Sequence, residues 1–220
     1  MIPKSHKTVF VLDHGPVFSK SSQEPLDYDV ISKSKTPGVI PAAPIFKSLW
    51  TWGIECVLEY MRIIFDVFPA DHLIQLVSGN SCLNNWNQKE QSIQHLMSSL
   101  SHLGPPKSDS LEDEYSAMHG LSLAIESLCR QSELQTTLIE QDESVVKNNG
   151  RIVCLTNLKS EAHIRMLEEC VLDAVTRHNK LAGSKDGGII NLIKILAEFG
   201  KCFMALGPGG LRCLDQTLLQ

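Results

Sequence analysis

Most patterns that announce a chemistry are missing from this sequence. Its seven cysteines (Cys56, Cys82, Cys129, Cys154, Cys170, Cys202 and Cys213) never stand closer than eleven residues, so no C-x-x-C or paired zinc-ligand spacing exists. Among the eight histidines no two stand four apart, and no H-E-x-x-H is present. The chain also has no G-x-G-x-x-G, no phosphate-binding G-x-x-x-x-G-K-[ST] and no G-x-S-x-G nucleophile elbow. These absences exclude the commonest dinucleotide, nucleotide, hydrolase and zinc-protease signatures. An S-x-x-K, Ser32 to Lys35, lies in a Pro- and Ser-rich stretch without partner residues. No apolar run approaches the roughly 20 residues of a membrane span, and Val9–Leu12 is too short for a signal-peptide core. An odd cysteine count and the absence of an N-x-S/T sequon predict reduced thiols in the nucleus or cytosol. Cys56, Cys129, Cys154 and Cys170 sit in periodic apolar segments and are expected as small buried hydrophobes.

What is there is an ordinary globular composition, 43% hydrophobic and 20% charged over 220 residues. Wholesale disorder, collagen-like repeats and a coiled-coil rod are excluded. The net charge of −5 is uneven. Residues 1–47 and 151–220 each carry +2, whereas residues 48–150 carry five basic and fourteen acidic side chains, a balance of −9. With an acidic middle and no Lys/Arg cluster, independent nucleic-acid binding is not expected.

Apolar runs alternate with helical stripes. Thr8–Leu12, Leu73–Val77 and Arg151–Thr156 are short apolar runs that predict strands buried on both faces. Between the first two, the stripe Leu49, Trp50, Gly53, Ile54, Val57, Leu58, Met61, Ile64 and Phe65 predicts a helix, capped by Ser48 and stopped by Pro69. Asn87 to Glu90 resembles a capping box for a helix through Leu96, Leu100 and Leu103. Ser110 with Asp113 opens another, with Ala117, Leu121, Ala124, Ile125 and Leu128 on one face. Asn148-Asn149-Gly150 reads as a loop before the third strand. A last helix carries Ile164, Leu167, Val171, Ala174 and Val175. This alternation predicts a mostly parallel sheet with helices on both faces.

In such a sheet ligands bind at the carboxyl ends of the strands, here Asp13-His14-Gly15-Pro16-Val17 and Thr156-Asn157. The pattern fits a von Willebrand factor A domain, whose first strand ends in D-x-S-x-S and helps to hold a magnesium ion. Asp13 matches the aspartate, Gly15 and Val17 stand where the serines belong, and Asn157 stands where a later aspartate belongs. Gly and Val supply no side-chain oxygen and Asn a neutral one, so the expected metal site is degenerate and Asp13 reads as a turn or capping residue. His14 is the one histidine placed for acid/base work, but no nucleophile accompanies it.

Several stretches resemble the Asunder family of Integrator complex subunit 13. They include Ser5 to His14, Lys47 to Thr51, Glu59-Tyr60, Phe68-Pro69, Leu83-Asn84 with Trp86, and Gly104-Pro105-Pro106. Gly150 to Cys154, Thr156-Asn157, Met166-Leu167-Glu168 and His178 to Ala182 complete the series. The resemblance implies a three-layer α/β/α von Willebrand A-like domain over residues 1–182 and a divergent tail over 183–220. It implies a non-catalytic scaffold of the Integrator complex without cofactors, acting in small nuclear RNA 3′-end processing and transcription attenuation. Implied partners are Integrator subunit 14, as a heterodimer, and subunit 10, with a link to mitosis and to dynein at the nuclear envelope. Implied locations are the nucleus and the perinuclear cytoplasm, with no membrane role. The alternative is a metal-dependent von Willebrand A ligand-binding module. In the tail, Ile189, Leu192, Ile193, Leu196 and Phe199 have helical spacing, so a loosely packed helix and a sheet short at one edge are expected.

Overall fold

A computed structural model describes residues 5–26, 45–68, 72–108, 115–133, 135–137, 148–157, 160–181, 203–207 and 210–214. The elements in chain order are β1 (Ser5–Leu12), β2 (Ser21–Pro25), β3 (Phe46–Ser48), α1 (Leu49–Val67), β4 (His72–Ser78) and β5 (Ser81–Cys82). They continue with α2 (Ile93–Leu103), α3 (Ser116–Cys129), β6 (Asn148–Thr156), α4 (Glu161–Leu181), β7 (Phe203–Gly207) and β8 (Gly210–Leu214). Six strands form one sheet in the order β5-β4-β1-β6-β7-β8. Strands β4, β1, β6 and β7 run parallel, while β5 and β8 pair antiparallel with their neighbours. Strands β2 and β3 make a separate antiparallel pair.

The apolar runs become central strands because the pleat sends alternate residues into two different cores. On one face Val9, Val11, Leu73, Val77, Ile152 and Cys154 pack beneath α3 and α4. On the other, Phe10, Leu12, Ile74, Leu76, Val153 and Leu155 pack beneath α1 and α2. The result is a three-layer α/β/α architecture with a mostly parallel sheet, consistent with the von Willebrand A-like fold the sequence predicts. Helix α1 starts where expected: the Ser48 hydroxyl accepts from the Thr51 N–H at 3.2 Å. Two glycines let helices approach the central strand closely. A Cβ at Gly53 would stand 2.8 Å from Leu12 Cδ1, and one at Gly120 would stand 2.6 Å from Val11 Cγ1.

Four expectations need correction. The sheet is not short at its edge, because β7 pairs with β6 through Cys154↔Phe203, Leu155↔Met204 and Thr156↔Ala205, and β8 returns beside it. The helical stripe from Ile189 to Phe199 lies outside the described residues. Asn87 caps a short 3-10 turn, Gln88–Glu90, and α2 is capped instead by Ser92, whose hydroxyl accepts from the His95 N–H. The Asn87 side-chain N–H donates in turn to Glu90 Oε1 at 2.7 Å, so the box closes on itself one turn before the helix. Asn148–Gly150 is strand, not loop: it pairs with Ser5–Lys7, where backbone bonding to β1 outweighs the turn preference of Asn and Gly. Cys154 is buried as expected and Cys170 is half-buried, but Cys56 and Cys129 are exposed. Cys56 is out of phase with the buried series Trp50, Gly53, Val57 and Met61, and Cys129 follows the last buried residue of α3.

Candidate functional site

The connections that leave β1 for β4 and β6 for β7 run to opposite sides along the sheet, so the carboxyl ends of β1 and β6 flank the topological switch point. Asp13 stands there, buried. Its own N–H donates to the Leu155 carbonyl at 3.0 Å, continuing the β1–β6 pairing by one residue. The Gly15 N–H donates to Asp13 Oδ1 at 2.8 Å, and the Thr156 hydroxyl donates to Oδ2 at 2.6 Å. Burial pushes the Asp13 carboxyl up from its ordinary range. Hydrogen bonds from Thr156, Gly15 and Ser116, and the charge of His163, act in the other direction without cancelling it.

The other expected residues surround this carboxylate without adding charge to it. Gly15 is buried and precedes a 3-10 turn over Pro16–Ser19, held by the Phe18 N–H donating to the Gly15 carbonyl at 2.9 Å. Val17 lies half-buried inside that turn, and Asn157 lies half-buried just past β6. Among the described residues no three His, Cys, Asp or Glu side chains come together as metal ligands. Among the described residues the donor set at Asp13 is one carboxylate, both of whose oxygens accept from the protein's own N–H and O–H groups.

His14 takes a positioning place. Its N–H donates to the Ser116 hydroxyl oxygen at 2.8 Å, and its Nε2 lies 3.1 Å from the Gly104 carbonyl oxygen. Its ring meets Trp50 edge-on at 4.9 Å. One residue thereby ties the end of β1 to the starts of α1 and α3 and the end of α2. Sequence reading reached Asp13 and Thr156 but missed Ser116, which gains its place only through the tertiary crossing of α3 over β1. The S-x-x-K at Ser32 lies outside the described residues.

A second buried ion was also missed. Lys7 is 1% exposed, and its ammonium donates to the Arg130 carbonyl at the end of α3. It lies 5.1 Å from the Trp86 ring centroid, and the Trp86 N–H donates to the Ser127 carbonyl at 2.9 Å. Desolvation lowers the Lys7 pKa to about 8, against a smaller upward pull from Cys129. The available signal was its phase: Lys7, Val9 and Val11 share one face of the strand.

A family model described as "Cell cycle and development regulator Mat89Bb" matches residues 2–197, past the boundary expected at residue 182. The chain is 43% identical over 210 residues to the Xenopus tropicalis protein named Integrator complex subunit 13, covering 92% of this chain and 28% of that protein. The Homo sapiens protein of that name is 44% identical over 189 residues, 83% of this chain and 27% of the relative. Protein asunder of Drosophila ananassae is 30% identical over 198 residues, 83% of this chain and 29% of the relative. The chain spans under a third of the length of these curated relatives.

Proposed function

Because the chain belongs to the Mat89Bb family of cell cycle and development regulators, we propose that it serves as a non-catalytic interaction domain of an Integrator complex subunit. The observation that carries this reading is the 43–44% identity, over most of the chain, to relatives named Integrator complex subunit 13. In this reading residues 1–182 supply the folded core, and residues 183–220 join its edge through β7 and β8. The domain acts in the nucleus, in small nuclear RNA 3′-end processing and transcription attenuation, through Integrator subunits 14 and 10. A mitotic role with dynein at the nuclear envelope, in the perinuclear cytoplasm, belongs to the same reading.

Asp13, Gly15, Val17 and Asn157 then mark a former metal position that works without its ion. Two features support this: Asp13 accepts from Gly15 and Thr156 on both oxygens, and Gly15, Val17 and Asn157 bring no carboxylate. The site holds three loops together and leaves recognition to the domain surface. The test is affinity purification of the tagged chain from nuclear extract, read by mass spectrometry. Integrator subunits 14 and 10 are expected among the proteins retained. In parallel, calorimetry with magnesium is expected to give no Asp13-dependent binding. Micromolar affinity abolished by Asp13→Ala would turn the assignment to the metal-dependent ligand module.

A further inference from the structure

Helix α1 carries two apolar stripes. The inner one, through Trp50, Val57 and Met61, belongs to the core. At ~100° per residue, Trp52, Cys56, Ile63 and Val67 fall together on the opposite side. Trp52 is 38% exposed, Ile63 47% and Val67 59%, and Cys56 is exposed as well. Single exposed apolar residues are ordinary, but a stripe four turns long on one helix is, among the described residues, an unpartnered face. Its aromatic end is held in place: the Trp52 indole N–H donates to Ser22 Oγ at 3.2 Å. The Lys47 ammonium sits 4.8 Å from the Trp52 ring centroid while bonding Glu55 at 2.6 Å. A fixed aromatic loses little freedom when a partner packs on it.

Alongside the stripe runs a charged row, Glu55, Glu59, Arg62 and Asp66, with three carboxylates to one guanidinium. Lys47 pairs with Glu55 at 2.6 Å and Arg62 is shared between Glu59 at 2.7 Å and Asp66 at 3.1 Å, so three carboxylates meet two cations and the row keeps one net negative charge. A second copy of this chain would lay the same acidic row against itself, which like-charge repulsion opposes. A basic flank complements it. We propose that the outer face of α1 docks an amphipathic helix of a partner protein whose apolar stripe is flanked by lysine or arginine. This inference rests on the reading of the chain as a subunit of a larger assembly.

The test uses the full chain with a photoreactive benzoyl-phenylalanine at position 63, irradiated in nuclear extract, and the cross-linked peptide sequenced. The expected product is a peptide of an Integrator subunit with apolar residues at helical spacing and neighbouring Lys or Arg. The same probe at Leu172, exposed on α4, is expected to give little of it. Ile63→Glu with Val67→Glu should cut recovery of that subunit about tenfold or more, with circular dichroism and unfolding midpoint unchanged. Wild-type recovery by this double variant overturns the docking face and leaves the assembly reading standing. A cross-link to a second copy, or to a peptide with acidic flanks, also overturns it. A wild-type chain that retains no Integrator subunit overturns both readings together.

Discussion

Lys7 and Asp13 stand six residues apart on and just beyond β1, on the face covered by α3, and both are buried. They differ in sign and in how they are satisfied. Helix α3 runs antiparallel to the strand, with Ser116 near Asp13 and the Arg130 carbonyl at Lys7. Its fourteen residues span about 21 Å at 1.5 Å each. Six strand residues span about 20 Å at ~3.3 Å each. The helix therefore reaches from one ion to the other, its positive N-terminal end at the carboxylate and its negative C-terminal end at the ammonium. Asp13 collects neutral donors from its own loop, the end of β6 and the start of α3. Lys7 has one carbonyl and one indole face among the described residues. The difference teaches that the carboxyl end is a junction of several elements, while at the amino end Lys7 acts as a pin on α3 beside the Trp86 bond to Ser127.

The largest expected effect follows from removing that pin. Lys7→Ala leaves the Arg130 carbonyl without its ammonium donor, bares the Trp86 face and opens a cavity, costing about 3 kcal/mol in urea unfolding. Lys7→Met keeps the packing and discards the desolvated charge, and is expected within about 1 kcal/mol of the wild type. Equal losses from both variants would mean that charge, not packing, dominates at this end, and the comparison with Asp13 would have to be redrawn.

Much of this frame is legible in the sequence. β-branched and apolar residues at 8–12 and 151–156 dictate strands buried on both faces, and the stripes of α1, α3 and α4 dictate which helix faces point inward. The two buried ions are harder to read, for a physical reason. A charged residue at the margin of an apolar run ordinarily faces water, and burial becomes tolerable only through partners distant in sequence, the Arg130 carbonyl at Lys7 and the Thr156 and Ser116 hydroxyls at Asp13. Strands β7 and β8 escape for another reason. The helical spacing from Ile189 to Phe199 dominates that stretch, although Gly207-Pro208-Gly209-Gly210 between two apolar runs is itself a hairpin signal. Within the candidate site, Asp13 and Thr156 follow from strand ends, whereas Ser116 and the bridging place of His14 depend on contacts across about a hundred residues of chain.

The second prediction sharpens the contrast by titration. The Lys7 pKa falls to about 8 in the folded protein from 10.5, so between these values the unfolded chain binds more protons, and stability rises with pH. Comparing wild type with Lys7→Met isolates this residue from other groups that titrate there. The wild type is expected to gain on the order of 2 kcal/mol on the variant between about pH 7.5 and 9.5. Asp13 works in the other direction. Its folded pKa is raised, so in the window above the unfolded value the native state holds more protons, and its contribution to stability falls as pH rises through that window. Parallel slopes for Lys7→Met and wild type would show that the ammonium is not desolvated as its burial implies.

The smallest effect belongs to the carboxyl end, where several donors share one load. Thr156→Val preserves shape and removes the hydroxyl that donates to Asp13 Oδ2 at 2.6 Å. The Gly15 N–H still donates to Oδ1, and Ser116 still favours the charged form. The loss is therefore limited to about 1 kcal/mol, the scale of one hydrogen bond to a charged group partly compensated by its neighbours. With one donor gone, the Asp13 carboxyl should rise further, since desolvation is unchanged and a counteracting bond is lost. Nuclear magnetic resonance titration of the Asp13 side-chain carbon, alongside urea unfolding, reads both quantities. Asp13→Asn in the Thr156→Val background then separates charge from geometry. If the amide restores the lost stability, the buried charge is the expensive element at this end; if it does not, the tie between β1 and β6 depends on the carboxylate itself, as the pin at the other end depends on the length of Lys7.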